Sequence, residues 1–134
     1  MRCPTTLTLL LLFMLTAAQA MAVEDSDNLL CATNVTHDCG GTGACVQGTA
    51  QSIGVPVFFE VDFTDRQIIA RHDDGREEKS RIDSLAVADD RVALQGVENG
   101  LAWSMLIMRD HGDMVVAGAG DGVGYVIHGS CIVP

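Results

Sequence analysis

The chain has 134 residues, of which 48% are hydrophobic and 4% aromatic, and its formal net charge at pH 7 is −10. This length is enough for one domain with one core and too short for two. An acidic excess of this size disfavours nucleic acid and anionic membrane surfaces as partners, because their phosphates are bound by Lys and Arg. It favours a cationic protein as the partner, and it also keeps a small protein soluble.

The N-terminal residues have the pattern of a cleaved secretory signal. Arg2 provides a short positive start, residues 7–15 are almost continuously apolar, and Ala18 and Ala20 satisfy the small-residue rule for cleavage. The apolar run is shorter than the ~20 residues that cross a bilayer, so it does not predict a membrane anchor. We therefore expect a periplasmic or secreted product that is not membrane-anchored once the signal is removed.

The predicted boundaries follow from the cleavage rule. A signal peptide is expected over residues 1–20, with residue 22 as the alternative end, and a single β domain with an acidic, frayed N-terminus over residues 21–134. Cleavage at residue 20 removes one arginine and no acid, which leaves 7 Lys and Arg against 18 Asp and Glu and a net charge of −11.

Four cysteines remain after cleavage, namely Cys31, Cys39, Cys45 and Cys131. An even number in an exported chain predicts two disulfides, whereas a zinc site would need paired short spacings that are missing here. Three pairings are possible. We favour Cys31 with Cys39 as a local clamp and Cys45 with Cys131 as a closure from the first strand to the last. A bridge between Cys39 and Cys131 is nearly as plausible.

The first half of the chain predicts a loop followed by strands. Residues 29–45 hold three cysteines and three glycines, which indicates a loop ordered by disulfides, and residues 44–48 could begin the first strand. Residues 57–63 alternate apolar and acidic side chains, as a half-buried strand does, and only Phe58 breaks the period. Residues 67–72 read as the partner strand, and an Asp-Gly pair follows that is typical of a tight hairpin.

The second half predicts a series of strands joined by short turns. Residues 76–80 are mostly charged and indicate a solvated edge strand, and residues 82–88 fit a strand or a short helix. Asn99 and Gly100 form a second strong hairpin signal. Trp103 is assigned to the core because its neighbours at i±2 are apolar. Further strands are predicted at residues 91–97, 101–108, 114–119 and 123–129.

These elements predict an all-β fold without helices. The fold class is a single small antiparallel barrel or sandwich of about seven or eight strands, stapled by disulfides. Hairpin-length connections favour an up-and-down order. A barrel is preferred over a sandwich, because closure removes exposed edges and a bridge between the first and last strands would suit it.

No motif with a catalytic mechanism is found. The glycine-rich residues 118–124 lack both the G-x-G-x-x-G that opens a helix and the G-K-[ST] of a phosphate loop, so they predict a turn between strands. The histidines have no metal-ligand spacing, and no serine lies in a G-x-S-x-G elbow. We therefore predict no catalytic residue, no cofactor and no metal, with a metal carrier at His37 or His111 as the alternative.

Candidate binding residues are assigned to the turns, since loops on a rigid sheet are where binding concentrates. The candidates are Asp110, His111 and Asp113 in one turn and Asp121 in the next, and the two turns are expected on one side of the molecule. Asp and Gly are also what such turns need for backbone reasons alone.

The C-terminal segment carries a resemblance. Its triplets Trp103-Ser104-Met105, Gly120-Asp121-Gly122 and Gly129-Ser130-Cys131 resemble those of small exported acidic β proteins of Gram-negative bacteria, a group that implies no established activity. The chain is more loosely similar to periplasmic lysozyme-inhibitor barrels in size, export, disulfides and β content. Their inhibitory loop aligns with no position here, so this similarity carries over no functional residue.

The expected function is that of a non-catalytic periplasmic or secreted binding or accessory protein whose partner is unknown. A more specific version is an inhibitor of a cationic hydrolase, because opposite charge accelerates encounter. The alternative is a small metal-binding or ligand-binding protein, or an enzyme without a recognisable motif. A barrel that holds a small apolar ligand is the weaker form of this alternative, because small barrels are often filled by their own side chains.

Overall fold

The computed structural model describes residues 28–134, and the predicted signal peptide lies outside the described residues. Within this range the chain forms one antiparallel sheet and a short 3-10 helix at Ala50–Ile53. No helix in this part of the chain has the length and hydropathy needed to cross a bilayer. The ten strands are β1 (Leu29–Cys39), β2 (Cys45–Gly48), β3 (Phe58–Asp62), β4 (Gln67–Arg71), β5 (Glu77–Arg81), β6 (Ser84–Val87), β7 (Arg91–Glu98), β8 (Leu101–Met108), β9 (Asp113–Gly120) and β10 (Val123–Ile132).

The strand order makes the sheet a curled half-barrel. The order is β5-β4-β3-β1-β10-β9-β8-β7-β6, with β2 paired to β1 outside this path. The first and last strands therefore pair in the middle of the sheet, while its two edge strands, β5 and β6, are consecutive in the chain and joined by Ile82 and Asp83. The all-β antiparallel prediction is confirmed, and the strand count is higher than the seven or eight expected.

The largest difference from the sequence-based prediction is β1, an 11-residue strand where a loop was expected. Its alternation is visible at Leu29, Cys31 and Thr33, which are all buried, but a bulge shifts the register between Thr33 and Val35. The next buried residue is Thr36, so the two-residue period is broken at mid-strand. The three glycines, Cys39 and Cys45 belong to the hairpin between β1 and β2, whereas Cys31 lies near the start of β1.

The core lies on the concave face of the sheet. Strand residues that alternate toward this face are almost fully buried, because the curled sheet covers them from several sides. The least exposed are Leu29, Val61, Val92, Leu94, Ile107 and Met114, each 0–1% exposed. Trp103 belongs to the same cluster and is 8% exposed, as its assignment to the core predicts.

Both disulfides join residues that lie directly opposite each other on neighbouring strands. Cys31 of β1 is bonded to Cys131 of β10, and Cys39 is bonded to Cys45 across the hairpin of β1 and β2. The prediction of two disulfides is confirmed, but the favoured pairing of Cys31 with Cys39 and of Cys45 with Cys131 is wrong. It assumed that residues 29–45 form a loop, whereas β1 runs beside β10 and brings Cys31 opposite Cys131. Two disulfides are consistent with an oxidising compartment.

Candidate functional site

The concave face of the half-barrel carries a cavity of about 150 Å³. Eight of the ten strands contribute to its lining, together with residues 54–56, which precede β3. Its walls are mainly apolar, because the residues that alternate inward on these strands are aliphatic or aromatic. The apolar part of the lining includes Phe59, Ile68, Met105, Val116 and Ile127.

A cross-strand row of two glycines and two aromatic residues shapes one wall. Gly96 lies opposite Trp103, which lies opposite Gly118, which in turn lies opposite Tyr125. A Cβ on Gly96 would overlap the indole ring, and a Cβ on Gly118 would overlap the phenol ring. Each aromatic ring therefore lies over a glycine of the neighbouring strand, and the missing side chains provide the room for the rings.

The polar groups of the cavity include two carboxylates and a hydroxyl group that is hydrogen-bonded to one of them, and they include no cation. Glu98 ends β7 and accepts a hydrogen bond from the hydroxyl of Ser80 on β5. Glu78 and Tyr125 also line the cavity, and none of the lining residues in the described chain is Lys or Arg. The pKa of Tyr125 is raised, first by burial of the phenol and second by the negative charge of Glu98.

The indole of Trp103 has an unpaired polar atom. Its Nε1–H is buried and has no hydrogen-bond partner within residues 28–134. Buried indole N–H groups usually find a partner, because an unpaired one costs about 1–3 kcal/mol. Because Nε1 itself is covered, the other atoms of this side chain are the ones that line the cavity.

The loop beside the cavity is fixed to β1. The backbone N–H of Thr33 donates to the carbonyl of Val57 at 2.8 Å, and the Thr33 hydroxyl donates to the carbonyl of Pro56 at 3.4 Å. The N–H of Val55 donates to the carbonyl of Ala50 at 3.1 Å, which ties the loop to the 3-10 helix. This wall is therefore built into the fold and needs no partner to form.

A second concavity of about 220 Å³ lies on the other side of residues 54–56. It contains Arg71 and Arg76, but each guanidinium is already paired with carboxylates. Arg71 contacts Glu60 and Glu77, and Arg76 contacts Asp74 and Glu78. Because these cations are neutralised by the chain itself, the second concavity is a weaker candidate for an anion site.

The predicted turn residues lie away from the cavity. His111 is placed between Asp110 and Asp113, with its Nε2 3.2 Å and its Nδ1 3.3 Å from their carboxylates, and all three side chains are exposed. Asp121 follows the opposite end of β9, so it is not brought to this group. The expectation that the two turns share one side is corrected, because successive hairpins of an antiparallel meander lie at opposite ends of their common strand.

The residues that form the polar end of the cavity were not identified from the sequence. The predicted strand ended at residue 97, before Glu98, and Trp103 was assigned to the core. Glu98 nevertheless continues the two-residue spacing of Val92 and Leu94. An acid at an inward position of an apolar strand face is a signal that could have identified it.

A metal centre finds no support in the described part of the chain. No group of three or more His, Cys, Asp or Glu side chains there is placed to hold a metal ion. His37 and His128 approach each other with ring centroids 5.9 Å apart, but two imidazoles alone do not complete a site.

Comparison of the chain with protein-family models, with curated proteins and with solved structures found no match. The chemistry of the cavity therefore has to be derived from its own side chains.

Proposed function

We propose that this protein is a non-catalytic binding protein of the periplasm or the extracellular space, and that it holds a small, mainly apolar molecule in the cavity of the half-barrel. The observation that carries this proposal is the mainly apolar cavity itself, which is lined by Trp103 and Tyr125 and has Glu98 and Ser80 at its polar end. Pockets that bind small molecules typically combine apolar walls with a few polar groups of this kind.

The cavity volume limits the size of the ligand. An apolar cavity of ~150 Å³ holds benzene, and the volume here is about 150 Å³. The part of the ligand that the cavity holds is therefore one ring or a short branched chain. Small barrels are often filled by their own side chains, but the half-barrel keeps a space of about 150 Å³ on its concave face.

The polar groups support binding better than catalysis. A nucleophile needs a base in hydrogen-bond contact and a third group that orients the base. Ser80 donates to Glu98, but a carboxylate is a weak base for a hydroxyl, and no histidine lines the cavity in the described chain. The hypothesis that this protein inhibits a cationic hydrolase rests on its net charge alone and stays a prediction. Unchanged hydrolase activity at low salt would exclude it.

Fluorescence of the mature protein tests the proposal directly, because Trp103 is the only tryptophan in the chain. We expect benzyl alcohol, a neutral probe of suitable size, to produce a saturable change in emission and to raise the unfolding temperature. No saturable change with benzyl alcohol, and none with its cationic and anionic analogues benzylamine and benzoate, would refute the proposal.

A matched pair of variants locates the binding. Ala70→Leu adds volume inside the cavity, whereas Ala102→Leu makes the same change at an exposed position of β8. We expect only Ala70→Leu to abolish the response. Equal binding by both variants would place the probe elsewhere and overturn the proposal.

A further inference from the structure

The charge at the polar end of the cavity limits the ligand further. Glu98 is half-buried. Within residues 28–134, the one side-chain hydrogen bond to its carboxylate is donated by a neutral group, the hydroxyl of Ser80. It forms no ion pair within residues 28–134. Glu78 is partly neutralised, since one of its carboxylate oxygens lies 3.3 Å from the guanidinium of Arg76. The uncompensated charge at this end therefore belongs to Glu98.

The aromatic side chains of the same wall also favour a positively charged ligand. Trp103 and Tyr125 flank Gly118 in one cross-strand row, and both line the cavity. The faces of aromatic rings attract cations, Trp most strongly, and the attraction grows when the site is shielded from water. A carboxylate without an ion-pair partner, beside aromatic rings in a lining that contains no lysine or arginine, forms a site that is selective for cations over anions.

We infer that the ligand is a small protonated amine whose ammonium group is bound by Glu98 and whose apolar body fills the cavity beside Trp103 and Tyr125. This inference rests on the proposed function and specifies its ligand class. A neutral ligand would leave the carboxylate of Glu98 covered without a counter-charge, and an anion would be repelled by it. Hydrogen bonds to an ionised group are roughly twice as strong as neutral ones, so the amine gains most from this end of the site.

Three probes that share one ring and differ in charge test the inference. Benzylamine is cationic at neutral pH, benzyl alcohol is neutral and benzoate is anionic. Binding of each to the mature protein is measured by calorimetry and by Trp103 fluorescence at one physiological salt concentration, because salt screens exposed charges. We expect benzylamine to bind at least about tenfold more tightly than benzyl alcohol, and benzoate to bind most weakly, as a charge-assisted bond implies.

Glu98→Gln identifies the group responsible. This variant keeps the size of the side chain and removes its charge, so benzylamine should lose its advantage over benzyl alcohol. The control is Asp121→Asn, which makes the same change of net charge at an exposed turn outside the cavity lining. If Glu98→Gln does not fold, Glu78→Gln and the three-probe series on the unmodified protein still test the charge preference.

Each result has a distinct meaning. Equal or tighter binding of benzyl alcohol relative to benzylamine would overturn the inference and leave the proposed function standing. Failure of all three probes to bind would overturn both. Loss of benzylamine affinity to the same extent in Glu98→Gln and Asp121→Asn would reveal long-range attraction by the acidic surface, and would also overturn the inference.

Discussion

The disulfide between Cys31 and Cys131 should contribute far more stability than the one between Cys39 and Cys45. The two bridges have sequence separations of 100 and 6 residues. In the chain-entropy description, closing loops of these lengths destabilises the unfolded state by about 4.7 and about 2.2 kcal/mol respectively. The long bridge also joins the strands on which the two halves of the sheet meet, β1 and β10.

The perturbation is the removal of each bridge by a pair of alanines. Alanine is preferred to serine at positions 31 and 131, because these residues are 0% and 3% exposed and a buried hydroxyl would add its own cost. The variant C31A/C131A should lose about 4–5 kcal/mol of unfolding free energy, and C39A/C45A about 2 kcal/mol. A domain of this size has only about 5–15 kcal/mol in total, so the first loss approaches complete unfolding at 37 °C.

Urea denaturation followed by Trp103 fluorescence and by circular dichroism measures both losses under oxidising conditions. The slope of free energy against urea should be compared between variants, because a change in slope would signal a change in the unfolded state. Equal losses, or a larger loss for C39A/C45A, would refute the claim that the long closure between the first and last strands holds the half-barrel together.

Two further predictions concern the cavity wall. Tyr125 is the only tyrosine, so absorbance should show its phenol ionising above pH 10.0, and closer to that value in Glu98→Gln. Because folding raises the pKa of Tyr125, the stability that this residue contributes is full below pH 10.0. That stability is lost as the pH rises through the pKa of the folded state. An unshifted phenol would contradict the burial described. Gly96→Ala places a Cβ 2.5 Å from the carbonyl oxygen of Arg81 and against the indole, so it should cost about 1–3 kcal/mol in thermal unfolding. Gly124→Ala meets only an ordinary contact at 3.7 Å and should be neutral, and equal effects at both glycines would count against the packing.

Most strands between residues 57 and 132 were predictable because two local signals agreed. Inward apolar residues recur every second position, and paired turn residues such as Asn99 and Gly100, both with positive φ, fix where the chain reverses. The strand β1 was missed because a bulge interrupts its period, and because its partners β3 and β10 are brought to it by the whole fold. The disulfide pairing failed for the same reason, since it depends on the register of β1 against β10.

The cavity was not predictable, because its polar end joins residues that are distant in the chain. Ser80 and Glu98 are 18 residues apart and lie on β5 and β7, which approach only when the sheet curls. The sequence did place Trp103 in the core, and the structure agrees. What no sequence pattern showed is that its indole N–H lacks a partner there, since hydrogen bonding of a buried side chain depends on the completed packing.

The most direct test of a ligand site at the cavity is a two-dimensional ¹H–¹⁵N NMR titration of the mature protein with benzylamine. The single tryptophan gives one indole N–H signal, and this signal reports a side chain that lines the cavity. We predict a saturable shift of the indole signal, together with shifts at Glu98 and Tyr125 and none at Asp110 or Asp113. Shifts confined to the turn that holds Asp110 and Asp113, or an indole signal that does not move, would contradict the cavity as the binding site.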